Sequence, residues 1–349
     1  MQIEVLDTPA AVVDLDRLEA NIARLQTYLD RYGIANRPHI KTHKIPAVAL
    51  MQLAAGASGI TCQKLGEAEV MADAGINDIF IPYNLIGAGK LERLAALARR
   101  VQLSVTADSE PVIRSYSGAM ATAQLELPVL VECDTGGGRC GAQTPSAAAE
   151  LALLIARAPG LRFGGLMTYP VGRDTDAFLT AAHGLIKARG LPVERVSGGG
   201  TPLMWQAHEA PSLTEYRAGT YVYGDRYILK SGAMGRDDCA MHVLTTVVSR
   251  PTAERAIIDA GSKALSSDLL GLEGYGALLE YPEATVVALS EEHGTVDFSA
   301  CAQRPEVGER VTIIPNHCCV VSNLFDTIVG ARQGVVELRW PVAARGRLQ

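Results

Sequence analysis

PVLVECDTGGGRCGAQTPSAAAELALLIARAPGLRFGGLMT, residues 128–168, contains one complete βαβ unit. Pro128–Cys133 is a short apolar run of strand length. A glycine loop follows, Asp134-Thr-Gly-Gly-Gly-Arg139-Cys-Gly141. Pro145–Ala158 is rich in Ala, Leu and Glu, residues that lose little on entering a helix. Phe163–Thr168 is a second apolar run, so strand, helix and strand follow within one connection.

The same alternation extends in both directions. Further candidate strands are Pro38–Lys41, Gly59–Cys62, Asp78–Pro82, Val101–Thr106, Val193–Ser197 and Thr214–Val222. Helix-forming stretches between them are Pro46–Ala55, Leu65–Ala74, Leu91–Arg99 and Asp176–Ala188. The clearest helix precedes them all. Leu15, Leu18, Ile22, Leu25 and Leu29 recur at helical spacing, Asp14 or Asp16 can cap the start, and Gly33 can end it. Eight strands, most separated by helices, predict an α/β fold with a (β/α)8 barrel of the TIM type. A doubly wound sheet shares the alternation and stays open on that ground alone.

The pattern changes near residue 235. Val243–Val248, Ala256–Asp259, Thr285–Leu289, Gly294–Phe298, Val311–Ile314 and Gly334–Trp340 are β-rich runs bounded by turn residues. The expectation is a barrel over 1–235 and a mostly-β C-terminal domain over 236–349. The first ~10 residues are open to joining the β domain. No low-complexity linker separates the parts, and no repeat beyond the βα unit is present.

Composition narrows the class of protein. The chain has 349 residues, 48% hydrophobic and 20% charged, with a formal net charge of −6. Nothing in that balance points to nucleic acid or an anionic membrane. No apolar run spans a bilayer, and no signal peptide is evident. Seven cysteines, scattered apart from Cys318-Cys319, argue against a disulfide framework and for a cytoplasmic protein with reduced thiols.

In a barrel, functional groups gather at the C-terminal ends of the strands. Lys41 ends the first strand and Gln63 follows the second. Tyr83 and Asn84 follow the third, Arg139 the fifth, Tyr169 the sixth, Ser197-Gly-Gly-Gly-Thr201 the seventh, and Tyr223 and Asp225 the eighth. On an extended strand His39, Lys41 and His43 share one face, where neighbouring cations would lower the amine pKa toward the neutral form a Schiff base needs. With Arg37 and Lys44 nearby, the segment reads equally as a solvated basic turn. The glycines of the Ser197–Thr201 loop let backbone N–H groups cradle a phosphate, with the Ser197 and Thr201 hydroxyls as added donors; a flexible loop has the same composition. Arg139 can bind a phenolate or carboxylate, or sit on the surface. His317 and Cys319 are two apart, so an extended segment would aim both at one zinc and leave positions open for substrate. A buried cysteine beside a satisfied histidine is the alternative.

Taken together, Asp7-Thr-Pro9, Arg37-Pro-His-Ile-Lys-Thr-His-Lys44, Asp134-Thr-Gly-Gly-Gly-Arg139, Ser197-Gly-Gly-Gly-Thr-Pro202, Arg217-Ala-Gly-Thr-Tyr-Val-Tyr223, Asp259-Ala-Gly-Ser-Lys263 and Pro315-Asn-His-Cys-Cys319 resemble the fold-type III pyridoxal-phosphate enzymes. This is the alanine-racemase-like barrel family, and more narrowly the segments look like its branch containing eukaryotic-type D-serine dehydratase and D-threonine aldolase. The resemblance implies that Lys41 carries pyridoxal 5'-phosphate and acts as base at Cα. It implies that Arg139 binds the phenolic oxygen, that Gln63 and Tyr169 line the ring, and that Gly199, Gly200 and Thr201 bind the phosphate. His317 and Cys319 would hold a divalent metal, zinc first and Mn2+ or Mg2+ as alternatives. A homodimer acting on a small D-3-hydroxy amino acid is expected.

Dehydration to a 2-oxo acid and ammonia is favoured over retro-aldol cleavage to glycine and an aldehyde, because the dehydratases carry His-x-Cys where the aldolases tend to carry His-x-Asp. His39 or His43 would be the base for the aldol route, and arginines at Arg173 or Arg226 would favour a 3-hydroxyaspartate substrate. A racemase using Tyr275 and a non-catalytic cofactor carrier are the readings from other classes. The metal pair argues against the first, and the β domain against the second.

Overall fold

The computed structural model describes residues 1–349. The chain begins with strand β1 (Ala10–Asp14) and helix α1 (Leu15–Arg31). On α1, Leu18, Ile22, Leu25 and Leu29 are all buried, each worth about 2 kcal/mol of transfer free energy. The barrel strands follow: β2 (Ala35–Asn36), β3 (Ile60–Thr61), β4 (Asp78–Ile81), β5 (Gln102–Ala107), β6 (Leu127–Cys133), β7 (Leu161–Thr168), β8 (Val196–Gly199) and β9 (Glu215–Arg217). Helices α2 (Pro46–Ala54), α3 (Leu65–Asp73), α4 (Ala88–Ala98), α5 (Glu110–Ala123), α6 (Pro145–Arg157) and α7 (Thr175–Ala188) alternate with them.

The eight strands pair in parallel in the order β2-β9-β8-β7-β6-β5-β4-β3. A bridge between His39 and Thr61 joins the two outer strands, with the Thr61 N–H donating to the Pro38 carbonyl at 2.8 Å. The sheet therefore closes on itself, which decides between the barrel and the doubly wound sheet. Phe80, Leu130 and Met167 pack together in its interior.

Several elements differ from expectation. The first barrel strand is Ala35–Asn36, ahead of the expected Pro38–Lys41; in that stretch the His39 N–H donates to the Ala218 carbonyl and the chain then makes a single 3-10 turn, Ile40–Thr42. The eighth strand likewise ends at Arg217 and turns over Thr220–Val222. Helix α5 escaped the sequence reading. Its run of Ser, Gly and Thr carries weak helix propensity, and it folds by burying Val112, Ile113, Tyr116 and Met120.

The remaining elements are α8 (Arg226–Ser231), β10 (Met241–Ser249), β11 (Arg255–Ile258), α9 (Ser262–Leu265), β12 (Gly276–Leu278), β13 (Thr285–Leu289), β14 (Gly294–Asp297), β15 (Arg310–Pro315), α10 (Cys318–Leu324), β16 (Thr327–Arg332) and β17 (Val335–Pro341). They form one nine-stranded sheet that includes β1, antiparallel to β10 and parallel to β16. Leu6, Val12, Leu244, Val329 and Ala331 make a core cluster there.

Two compact units result, both discontinuous in sequence. The barrel unit is Arg24–Lys41, Pro46–Gly219 and Gly346–Gln349. The sheet unit is Met1–Ala23, Thr42–Ile45 and Thr220–Arg345. The change of unit thus falls just after the eighth barrel strand, and the N-terminal strand goes with the sheet. No helix is long and apolar enough to cross a membrane.

Candidate active site

In the barrel unit, Lys41 leaves the strand end on the 3-10 turn. Arg37 anchors the segment from within, donating through Nε to Glu215 at 2.6 Å and through Nη1 to Asp78 at 2.6 Å. The Lys41 ammonium lies over the Tyr169 ring, 5.6 Å from its centroid, and the Arg139 guanidinium lies 5.1 Å from the same centroid. His39, Gln63, Pro82, Met167 and Arg217 complete one pocket with these three residues. Both ring nitrogens of His39 are engaged. Its Nε2 meets Gln63 Oε1 at 2.9 Å, and its Nδ1 accepts from the Lys41 N–H at 3.4 Å.

The shared face expected for His39, Lys41 and His43 does not form, because the 3-10 turn replaces strand alternation. His43 belongs to the sheet unit, where it is fully buried, accepts at Nδ1 from the Ile45 N–H, and packs edge-on against Tyr223.

The glycine loop that carries Arg139 is tied to one acid. Asp134 Oδ1 accepts from the N–H groups of Gly136, Gly137 and Gly138 at 3.0, 2.8 and 3.1 Å. Those bonds hold the Asp134 carboxyl below its usual range. Beneath the loop Glu132 is buried, and burial raises its carboxyl to about 7 against the lowering pull of Arg139.

On the other glycine loop, Gly200 has φ +124 and its carbonyl accepts from the Tyr216 hydroxyl at 2.7 Å. Only glycine adopts that backbone readily. A Cβ on Gly199 would stand 2.8 Å from the Arg217 carbonyl. Gly199 therefore packs against the neighbouring strand where no side chain fits, and the backbone N–H groups of such a glycine loop can take a phosphate. Thr201 Oγ1 accepts from the Gly219 N–H at 3.4 Å.

Ser197 departs from its expected part. Its hydroxyl donates to Glu215 Oε1 at 2.5 Å and accepts from Arg217 Nη1 at 2.5 Å inside the barrel. Its one proton is spent, so the loop's remaining donors come from Gly199, Gly200 and Thr201. Arg217, quoted in a motif but given no task by the sequence, is the residue Ser197 serves. It is fully buried, also donates to the Thr168 carbonyl, and burial lowers it to about 10 despite Glu215. An unpaired amine, an aromatic ring in contact with two cations, and a glycine loop with free backbone donors are what pyridoxal phosphate needs, so the residues present fit that cofactor.

In the sheet unit, β15 ends at Pro315 and α10 begins at Cys318. His317 and Cys319 are therefore not on one extended segment. His317 is the N-cap and Cys319 the second helical residue, and this corner brings the two side chains into hydrogen-bond contact. Asp225 fixes the corner: Oδ2 accepts from the Cys318 N–H at 3.0 Å, and Oδ1 accepts from the Ile228 N–H at 2.9 Å as the cap of α8. Burial and the nearby Cys319 raise its carboxyl to about 6.

Thr42 and Thr220 hydroxyls lie 3.2 and 3.6 Å from the Cys319 sulfur. His317 Nδ1 meets Asp268 Oδ2 at 2.8 Å. Burial works against charging His317, but Cys319 and Asp268 outweigh it and raise the imidazole to about 9. A histidine holding a proton beside a sulfur is a pair in which a metal ion can take the proton's place. No other His, Cys, Asp or Glu joins the pair closely enough to make a third ligand; Asp108, Glu132 and Cys140, in the barrel unit, form the one such triple in the chain. A nitrogen and a sulfur donor with open positions fit a catalytic zinc-like ion.

Arg173 lines a separate pocket with Asp176 and Glu209. Arg226 donates to Asn316 Oδ1 at 2.7 Å and more weakly to the Gly274 carbonyl. Tyr275 is in the sheet unit, its N–H bonded to Val286.

Comparison with known proteins gives the class first. The family model described as the alanine racemase N-terminal domain matches residues 13–227, and the one described as a putative serine dehydratase domain matches residues 240–331. The chain is 35% identical to the D-threonine aldolase of Arthrobacter sp, over 98% of this chain and 93% of that one. The crystal structure of D-threonine aldolase from Filomicrobium marinum superposes with a TM-score of 0.90 at 33% identity, covering 100% of this chain and 98% of that one. D-threo-3-hydroxyaspartate dehydratase from Delftia sp. HT23 superposes at 0.87 with 32% identity, covering 97% and 98%. Solved structures of a D-threo-3-hydroxyaspartate dehydratase include a histidine-to-alanine variant and, two positions on, a cysteine-to-alanine variant in a metal-free form. The chain belongs to the alanine-racemase-like, fold-type III family of pyridoxal-phosphate enzymes, in the lyase branch that acts on D-3-hydroxy amino acids.

Proposed function

We propose that this enzyme dehydrates a D-3-hydroxy amino acid with an uncharged side chain, of the D-serine or D-threonine kind, to a 2-oxo acid and ammonia. The observation that carries the reading is the His317–Cys319 pair at the β15–α10 corner, with no third protein ligand grouped with it. A metal-binding pair two residues apart is also what the histidine and cysteine variants of the related dehydratase point to. Bound pyridoxal phosphate supplies an electron sink at Cα, and a bound divalent metal supplies a Lewis acid for the β-hydroxyl.

In this reading Lys41 would hold the cofactor and take the Cα proton. Arg139 binds the phenolic oxygen, Gln63 and Tyr169 flank the ring, and Gly199, Gly200 and Thr201 take the phosphate. Ser197 contributes from behind, by orienting Arg217. His317 and Cys319 hold the metal. Zinc suits their nitrogen and sulfur, whereas Mn2+ and Mg2+ prefer oxygen ligands. Loss of the Cα proton and the β-hydroxyl as water leaves an enamine, which hydrolyses to the oxo acid and ammonia.

Two further observations favour elimination from an uncharged substrate. His39, one candidate base for the aldol route, has Gln63 and the Lys41 N–H on its two nitrogens. Arg226 is tied to Asn316 and Gly274, and Arg173 lines a different pocket, so neither offers itself to a second substrate carboxylate. Retro-aldol cleavage is the second reading, favoured by the full-length similarity to D-threonine aldolases.

The test is incubation with D-serine, D-threonine and the 3-hydroxyaspartate isomers, assaying 2-oxo acid and glycine separately. Oxo acid without glycine is expected; glycine from D-threonine overturns dehydration in favour of the aldolase. The homodimer implied by the resemblance belongs to the same proposal, and sedimentation velocity reads it directly.

A further inference from the structure

The loop after α9 holds non-glycine residues in the left-handed region on both sides of Asp268: Ser266 at φ +69 and Leu270 at φ +49. Such backbone persists only where the surroundings fix it. Four tethers do so. The Asp268 N–H donates to Ser266 Oγ at 3.0 Å, and Lys230 Nζ donates to the Gly271 carbonyl at 2.7 Å. Asn316 Nδ2 donates to the carbonyls of Asp268 at 3.0 Å and Gly274 at 2.9 Å. Asn316 is itself buried and accepts from Arg226.

The residue immediately before His317 is thus a clamp on the loop that carries Asp268. The Asp268 side chain meets His317 Nδ1 at 2.8 Å, and this is its one side-chain partner. A carboxylate on one imidazole nitrogen fixes the tautomer and leaves the other nitrogen's lone pair for a metal.

We propose that Asp268 is the positioning residue of the metal centre, held by Asn316 so that His317 Nδ1 keeps its proton and Nε2 is presented to the ion. The inference rests on the reading of His317 and Cys319 as the metal-binding pair. Asp268 is not a ligand itself, since no close three-residue group forms around the pair.

The test is zinc affinity of the chelator-treated full-length protein, by competition with a chromogenic chelator, in wild type, Asp268→Ala, Asp268→Asn and His317→Ala. Asp268→Ala is expected to weaken zinc binding about 10- to 100-fold, the usual effect of losing such a partner. Asp268→Asn keeps a neutral acceptor and should fall between it and wild type. The thermal midpoint without zinc should be unmoved in both, because Asp268 is half-exposed. Asp268→Ala binding zinc as tightly as wild type, while His317→Ala does not bind, overturns the inference alone. Zinc binding that survives His317→Ala unchanged overturns the metal reading and the inference with it.

Discussion

The two ends of the barrel treat charge in opposite ways. Inside and toward the strand starts, Arg37 is clasped by Glu215 and Asp78, and Arg195 lies 3.6 Å from Glu215. Burial alone would raise Glu215; the two arginines and Ser197 bring it below its ordinary value instead. Every charge there has a partner. Four residues beyond Arg37, at the strand ends, Lys41 meets a tyrosine ring and no carboxylate. One segment therefore holds an arginine bound into an ion network and a lysine without a counter-charge.

The contrast can be broken most forcefully at Glu215. Glu215→Ala leaves Arg37 and Arg195 without their shared counter-charge and should cost about 3–5 kcal/mol in urea unfolding. Lys41→Ala should leave unfolding nearly unchanged while abolishing turnover. Equal stability losses in the two variants would erase the distinction.

Glu132 tests the boundary between the two regimes, since it is a buried acid close under the site. In the folded chain its carboxyl keeps its proton up to about 7, against 4.5 for the ordinary group. Between those values the folded state binds the extra proton, so its contribution to stability is full below pH 4.5 and is lost as pH rises through 7. Glu132→Gln, measured without cofactor, should match wild type at low pH and exceed it by about 2–3 kcal/mol above neutrality. Parallel pH curves for the two proteins would contradict this.

The smallest effect is expected at Asp134, which organises a site loop without bearing on the core. Asp134→Ala removes the acceptor for three backbone N–H groups and should weaken pyridoxal-phosphate affinity about tenfold, with the thermal midpoint unmoved. Fluorescence titration of the cofactor-free protein reads it.

The barrel was legible because its signals are local: apolar runs of strand length, helix formers between them, and polar residues just past each strand. What was not legible depended on partners far away in sequence. Ser197 looks like a loop hydroxyl until Glu215 and Arg217, on the neighbouring strand, claim it. Asp268 lies 49 residues before His317 and has no motif of its own. Strand alternation gave the wrong geometry for both key pairs. Lys41 sits within the 3-10 turn that follows His39, and His317 and Cys319 meet at a helix start. The spacing of two survived in each case; only the backbone that realises it changed. β1 was missed as a strand because Ala10–Asp14 gains its pairing from β10 and β16, more than 200 residues on.

The most direct measurement is borohydride reduction of the cofactor-loaded enzyme, followed by digestion and mass spectrometry of the pyridoxyl-labelled peptide. The label is expected on Lys41, with none in Lys41→Ala. A label on Lys44 or Lys64, or a label retained in Lys41→Ala, would contradict the assignment of the cofactor lysine.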